Sequence, residues 1–256
     1  MTRQSDPART VRRGVARRGR VTVVYEADAL SREHAHEFAA AAARGLRELE
    51  RLTGLSGRPR LRLELHSSTR ISSARGRTIR LPIYRVAART APYLHEIAHV
   101  LLPCPGAPAW FSEGLAGYLE STASERGAGY DSHLFTANGN AGVHSDSARW
   151  LADPRGQAVL PFVGTRGTPP GILADRHNIA APFYVCSHSL VKFLADQVGL
   201  KLVIRLARSR RFAPEMRRLT GRPASAWRAA WLESLGAVAV PLNPPAAGTP
   251  SADTAP

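Results

Sequence analysis

The chain has 256 residues, of which 44% are hydrophobic, and this length and composition suit one globular domain with a sizeable core. Its formal net charge is +15, but only Lys192 and Lys201 are lysines, and the arginines are scattered along the chain apart from runs at 12–20 and 208–218. We interpret this charge as a compositional bias carried on solvated faces, so no specific nucleic acid is expected as a partner.

The composition disfavours both membrane insertion and a disulfide framework. No run of about 18 apolar residues occurs, so no membrane span is expected, and the basic N-terminus lacks the apolar segment of a signal peptide. Cys104 and Cys186 are too few for a disulfide framework and are interpreted as small buried thiols, although a disulfide between them stays open if the protein is exported. A cytoplasmic location is expected, and the oligomeric state is not predicted.

The N-terminal part predicts strands around one helix. Residues 1–19 are basic and lack an apolar period, so we expect them to be disordered. Residues 20–26 are rich in β-branched side chains and residues 60–66 alternate strictly, so each segment predicts a strand. Between them, Ser31 is a good N-cap for a helix whose apolar residues follow a helical period as far as Gly54.

A hairpin and a buried helix follow. Residues 71–83 contain two short strands around an Ala-Arg-Gly turn, and Pro82 favours a sheet edge for the second strand because proline cannot donate to a ladder. Residues 86–102 are apolar on nearly every face, which predicts a buried helix. The prolines beyond it end this helix, and Pro108 suits the first turn of another.

The C-terminal half predicts long loops and then further helices. Residues 123–180 are rich in Gly, Ser, Asn, Asp and Pro, so we expect long loops with short helical pieces near 146–152 and 158–163. Helices are expected at 182–198, 200–208, 214–219 and 224–235. An Ala- and Pro-rich tail, residues 237–256, is expected to be disordered, which leaves 20–236 as the folded domain.

The segment HEIAH carries the strongest chemical signal in the chain. Residues four apart on a helix project from one face, so His95 and His99 can share one metal ion. Imidazole nitrogen is a preferred ligand of Zn²⁺. Glu96 lies one step round the helix, where it can act as a general base towards water. The spacing therefore predicts two ligands and the base of a catalytic zinc site.

Glu113 is the candidate for the third ligand. It follows His99 by 14 residues, beyond a proline-rich turn that lets the second helix fold back across the first. Ala116 and Gly117 share its helix face and are predicted to let these two helices pack closely. Glu120 lies on that face too, and we expect it to accept a hydrogen bond from the other ring nitrogen of a ligand histidine.

The segments HEIAH and EGLAGYLE resemble the gluzincin zinc metallopeptidases, in particular the peptidase MA-like families related to the M1 aminopeptidases. The resemblance covers about residues 20–235 and implies zinc ligands at His95, His99 and Glu113 with a catalytic Glu96. It also implies an α+β, zincin-like fold. In this fold a small mixed β-sheet has an edge strand packed on an active-site helix, and a mainly helical C-terminal part follows.

A tyrosine on a later helix extends the resemblance. The segment YVCSHSLVKFL, which begins at Tyr184, is similar to the family's pattern, and this implies that the Tyr184 hydroxyl stabilises a tetrahedral oxyanion. His188 shares its helix face and remains an alternative donor. The connection from His99 to Glu113 is shorter than in M1 enzymes, and their G-x-M-E-N motif is absent, so aminopeptidase activity does not follow.

The sequence thus predicts a zinc-dependent metallopeptidase that acts on a peptide or protein substrate. The strand near residues 78–83 is a candidate to pair with an extended peptide by β-augmentation. The alternative hypothesis is a catalytically inactive, peptidase-like module that binds a peptide or protein, with zinc absent or structural. In either case we expect specificity to reside in the cleft walls and loops of residues 123–180.

Overall fold

A five-stranded sheet forms the N-terminal part of the computed structural model, which describes residues 12–57, 60–128, 130, 135–136, 138–172 and 178–236. The strands are β1 (Arg13–Arg18), β2 (Val21–Glu26), β3 (Leu61–His66), β4 (Ser73–Arg75) and β5 (Thr78–Pro82), in the order β1-β2-β3-β5-β4. Strands β2, β3 and β5 are parallel, whereas β1 and β4 pair antiparallel at the two edges. The sheet is therefore small and mixed, as predicted.

The predicted disorder of residues 1–19 is wrong for β1. This strand pairs with β2 along its whole length, from Arg13 opposite Glu26 to Arg18 opposite Val21. Only Ala16 enters the core, where it is completely buried, while the arginines stay in solvent. An edge strand that buries one small side chain shows no apolar alternation, so the pattern could not reveal it. Residues 1–11 and 237–256 lie outside the described residues.

The predicted edge position of the strand that contains Pro82 is also wrong. Strand β5 lies between β3 and β4, and β4 forms the edge. The pairing of β4 with β5 ends at Ser73 opposite Arg80, so Pro82 extends beyond it. The proline is tolerated in an inner strand because no β4 residue lies opposite its missing N–H group.

A long helix, α1 (Arg32–Thr53), joins the parallel strands β2 and β3. The Ser31 hydroxyl accepts a hydrogen bond from the His34 N–H group (3.2 Å), and Gly54 ends the helix with a φ of 67°. Its buried stripe includes Ala35, Phe38, Ala39, Ala42, Leu46 and Leu49. Both ends and the buried face are as predicted, and α1 packs against β1, β2 and the helices of the site.

The predicted helix over 86–102 is divided into α2 (Ile83–Ala87) and α3 (Tyr93–Leu101). Between the two helices Arg89 has a left-handed conformation with a φ of 56°, and Ala91 precedes Pro92, a position that is disfavoured in helical conformation. The later helices are α4 (Ala109–Glu125), α5 (Gly139–Leu151), α6 (Pro154–Val159), α7 (Ala180–Val198), α8 (Leu200–Ala207), α9 (Phe212–Thr220) and α10 (Ala224–Ser234). Among the described residues, no helix has the length and apolar character needed to cross a lipid bilayer.

Helices α5 and α6 occupy much of the segment predicted as long loops. Helix α5 packs against α7 and buries Val143, Ser147 and Leu151. The Ser147 hydroxyl donates a hydrogen bond to Cys186 Sγ (3.4 Å) inside this interface. The predicted helical pieces near 146–152 and 158–163 overlap observed helices, but the first half of α5 was missed. Small polar side chains fill much of its contact with α7, and a hydrophobic period does not register them.

Candidate metal centre

Helix α3 holds two imidazoles side by side. Tyr93 anchors its first turn in the core, where its hydroxyl accepts a hydrogen bond from the Tyr130 backbone N–H group (3.2 Å). His95 and His99 are one turn apart, with ring centroids separated by 4.7 Å and Nε2 atoms by 3.1 Å. The four-residue spacing thus directs both nitrogen atoms to one point.

Helix α4 brings a carboxylate to the same point. Glu113 Oε2 lies 3.1 Å from His95 Nε2 and 3.3 Å from His99 Nε2. A tetrahedral zinc site with bonds of about 2.0–2.1 Å has ligand atoms about 3.4 Å apart, so these three atoms fit zinc after small shifts. Within the part of the chain that the structure describes, this is the one such cluster of potential metal ligands.

Two further side chains contact the outward ring nitrogens of these histidines. Glu120 Oε2 lies 3.7 Å from His95 Nδ1, and both side chains are almost fully buried. His95 Nδ1 has no hydrogen-bond partner among the described residues, so a small approach of Glu120 would complete a hydrogen bond. Ser112 Oγ lies 3.5 Å from His99 Nδ1, a contact that the sequence did not indicate. Such contacts orient a ligand ring and select its tautomer.

Opposite charges perturb the ionisation of this cluster. Burial alone lowers the pKa of His95, but the hydrogen bonds and charges of Glu113 and Glu120 outweigh burial and raise it to about 10. Burial alone raises the pKa of Glu113, but the two histidines outweigh burial and hold it far below its usual range. Without a metal, the group is therefore an imidazolium–carboxylate pair near neutral pH, and a bound cation would replace the proton.

The cluster opens into a cleft of about 1110 Å³ between the β4 hairpin, α3 and α7. Glu96 lines this cleft, although only 7% of it is exposed. Burial raises the pKa of the Glu96 carboxyl, and the nearby histidines lower it by less. A carboxylate with a raised pKa is better matched to proton transfer near neutral pH than an ordinary surface glutamate.

Helix α7 presents Tyr184 to the cleft, with its ring centroid 6.0 Å from that of His95. His188 is buried instead, and its Nε2 lies 2.7 Å from Asn140 Oδ1. It lines a small cavity that His95, Glu113 and Tyr184 also line. Phe135 stacks on Tyr184 at 5.0 Å and also lines the cleft, but no periodicity in the sequence marks it.

The glycines of α4 face α7 rather than α3. A Cβ atom on Gly114 would lie 2.2 Å from the Ser187 carbonyl oxygen, and one on Gly117 would lie 3.2 Å from His188 Nδ1. The predicted role of Gly117 in the approach of α4 to α3 is therefore wrong, because its open side receives a side chain of α7. These glycines still serve the site, since they set how closely α7 approaches the helix that carries Glu113.

Both cysteines are free and buried, as the interpretation of small buried thiols predicts. Burial raises the pKa of Cys104 to about 11 and that of Cys186 to about 12. The Cys104 thiol contacts Ser112, whereas Cys186 contacts Ser147 on α5. The two thiols thus belong to different helix contacts and form no disulfide.

The similarity of this chain to known proteins is found by comparison of structures. No family model matches this chain, and no curated protein matches it. The M1 zinc metallopeptidase from Deinococcus radiodurans matches with a TM-score of 0.53 and 21% identity, over 90% of this chain and 51% of that chain. A two-domain M1 zinc metallopeptidase mutant bound to L-arginine matches with a TM-score of 0.52 and 17% identity, over 87% and 51%.

At these identities the similarity establishes the fold alone. The chain has a mixed α and β architecture similar to that of M1 zinc metallopeptidases, and it spans about half the length of the solved chains that it matches. The fold is thus one that hydrolases with a zinc ion use, and the possible metal site at His95, His99 and Glu113 lies within it.

Proposed function

We propose that this chain is a zinc-dependent metallopeptidase of the gluzincin type that hydrolyses peptide bonds. The observation that carries the proposal is the convergence of His95 Nε2, His99 Nε2 and Glu113 Oε2 to within 3.3 Å of one another. They converge at the wall of an open cleft, where a metal ion would meet a substrate. A purely structural zinc site would instead take four protein ligands and be closed.

His95, His99 and Glu113 would hold Zn²⁺, which when bound supplies Lewis acidity towards water and a carbonyl oxygen. Glu96 takes a proton from the attacking water and delivers it to the nitrogen of the departing amine. The Tyr184 hydroxyl donates a hydrogen bond to the oxyanion that develops on the scissile carbonyl. Glu120 accepts a hydrogen bond from His95 Nδ1, which keeps Nε2 of that ring unprotonated towards the metal.

The substrate of this proposed enzyme is a peptide that extends along β4. Strand β4 is the sheet edge, and its residues Ser73 and Ala74 line the same cleft as the metal ligands. The unpaired N–H and C=O groups of an edge strand can pair with an extended peptide. The proposed pairing with an extended peptide is therefore at β4 rather than at β5, where the sequence led us to expect it.

The proposal is tested by zinc content and by cleavage of a peptide library read by mass spectrometry. The purified protein should bind about one equivalent of zinc, a chelator should abolish cleavage, and added zinc should restore it. Glu96→Gln should retain zinc and fold but lose about 10²-fold to 10⁴-fold in kcat, because the proton acceptor is gone.

Two results would contradict the proposal. If Glu96→Gln cleaves peptides as fast as the parent protein, Glu96 is not the base and the mechanism is wrong. If the zinc-loaded parent cleaves nothing in the library, the proposed enzyme activity is wrong, and the inactive peptide-binding module becomes the better description.

A further inference from the structure

We propose that the cleft selects substrates that carry a carboxylate group, through Arg70, Arg77 and Arg85. This inference rests on the proposed function, because it takes the cleft as the place where a peptide binds. It goes beyond that function by naming the chemical class of the substrate.

The charges that line the cleft are unbalanced. Among its described residues, the acidic side chains are Glu96 and Glu113, which the metal site employs, and the remaining charged side chains are Arg70, Arg77 and Arg85. A bound divalent cation would offset the charge of Glu113. The cleft wall would then present a net positive charge to a bound substrate. A cleft lined by one sign of charge attracts ligands of the opposite sign.

These three arginines also lack the internal counter-charge that nearby arginines have. Arg62 and Arg80, on the adjacent strands β3 and β5, both form ion pairs with Glu64, at 2.7 Å and 3.4 Å. Within the described part of the chain, no carboxylate lies within ion-pair distance of Arg70, Arg77 or Arg85. Their guanidinium groups are therefore available for a ligand.

The positions of the arginines suit a peptide that pairs with β4. Arg70 precedes this three-residue strand and Arg77 follows it in the hairpin turn, so the two side chains belong to opposite ends of the edge. Arg85 on α2 adds a third charge to the same wall. An extended peptide along β4 would thus meet an arginine near each end, whichever way it runs.

A carboxylate is the ligand that this chemistry recognises. The planar guanidinium group forms two parallel hydrogen bonds with the two oxygens of a carboxylate. Arg70 and Arg77 are exposed and Arg85 is half-buried, so we expect each to contribute about a twofold to fivefold preference rather than an absolute requirement. Ile71 is 57% exposed and lines the same cleft, which favours an apolar substrate side chain beside the acidic one.

The test uses three peptides and a binding readout that does not require cleavage. The first is acetylated and amidated, with Glu on both sides of a central Leu; the second replaces each Glu with Gln; the third is the Gln peptide with a free C-terminal carboxylate. Their Kd values are measured by fluorescence anisotropy with zinc-loaded Glu96→Gln protein. Preference for the first peptide identifies side-chain carboxylates as the ligand, and preference for the third identifies the terminal carboxylate.

The decisive variants remove equal charge in two places. The cleft variant combines Arg70→Gln, Arg77→Gln and Arg85→Gln in the Glu96→Gln protein. The matched control combines Arg47→Gln, Arg208→Gln and Arg217→Gln, which are exposed arginines outside the cleft. We expect the unaltered protein to bind a carboxylate peptide about tenfold more tightly than the neutral peptide. The cleft variant should lose this preference and the control should keep it.

Equal affinity for all three peptides, or a preference that survives in the cleft variant, would overturn the inference. The proposed function is judged separately by zinc-dependent cleavage with the parent protein. If the parent cleaves all three peptides equally well, only the inference about carboxylates fails. If nothing is cleaved but the arginine-dependent preference persists, only the peptidase proposal fails.

Discussion

At the scale of single residues, two candidates for oxyanion stabilisation differ in what surrounds them. Tyr184 and His188 share a face of α7, so their spacing in the sequence does not separate them. Tyr184 lines the cleft next to His95, whereas His188 is buried against Asn140. A donor must reach the position where the oxyanion forms, and this geometry favours Tyr184.

Tyr184→Phe should therefore lower kcat about 10²-fold to 10³-fold, with little change in KM, because the lost hydrogen bond acts mainly in the transition state. Zinc content should stay at one equivalent. Steady-state kinetics on a fluorogenic peptide, together with metal analysis, would check both statements.

His188→Gln provides the matched comparison. It should lower the free energy of unfolding by about 1–3 kcal/mol through the buried contact with Asn140, while the remaining folded protein keeps most of its kcat. If His188→Gln loses more kcat than Tyr184→Phe at equal zinc content, the assignment of the oxyanion donor to Tyr184 is wrong.

At the scale of elements, the close contact of α4 with α7 supports the site from behind. The Gly114 backbone approaches the Ser187 carbonyl group so closely that an added Cβ atom would lie 2.2 Å from the oxygen. Because the obstacle is backbone in a buried helix, no side-chain rotation can relieve it. The neighbouring α4 residue Glu113 would then have to move with its helix.

Gly114→Ala should lower the free energy of unfolding by about 1–3 kcal/mol, although alanine is the better helix former. It should also weaken zinc binding, because a displaced α4 shifts Glu113 relative to the histidines. Urea unfolding and competition with a fluorescent zinc chelator would measure the two effects.

Gly117→Ala is the graded control for this prediction. An added Cβ atom there would lie 3.2 Å from the His188 ring, a side chain that can shift slightly. We expect a smaller loss of stability than with Gly114→Ala, and equal losses would argue against backbone contact as the cause.

At the scale of the whole molecule, the metal would connect two helices with different neighbours. Helix α3 packs on the sheet through β4 and β5, whereas α4 packs mainly on α7 in the helical part. A ligand that binds only the folded state raises its stability, and zinc would join these two parts through His95, His99 and Glu113.

Zinc at about 100 times its Kd should raise Tm by about 5–10 °C, and His99→Ala should abolish this rise. The raised pKa of His95 stabilises the metal-free fold below pH 6.5, and this contribution is lost as pH rises through about 10. Zinc must displace that proton, so at a fixed zinc concentration the rise in Tm should grow from pH 6 to pH 8. Differential scanning calorimetry in matched buffers would detect this, and a rise that shrinks with pH would contradict it.

The features that the sequence determined by itself depend only on residues that are close together in the chain. The four-residue spacing of His95 and His99 directs both rings to one side because helical geometry depends only on neighbouring residues. The N-cap at Ser31 and the C-cap at Gly54 were readable for the same reason, as was the placement of Glu113 after a proline-rich turn.

The tertiary structure alone decided the features that depend on distant neighbours. The edge positions of β1 and β4, the facing of Gly117 towards α7 and the stacking of Phe135 on Tyr184 join residues far apart in the chain. A hydrophobic period reports which side of an element is buried, but it does not report which element covers it. For the same reason, the sequence did not reveal the arginines of the cleft wall. Charged side chains that are scattered along the sequence form a binding surface only when folding brings them together.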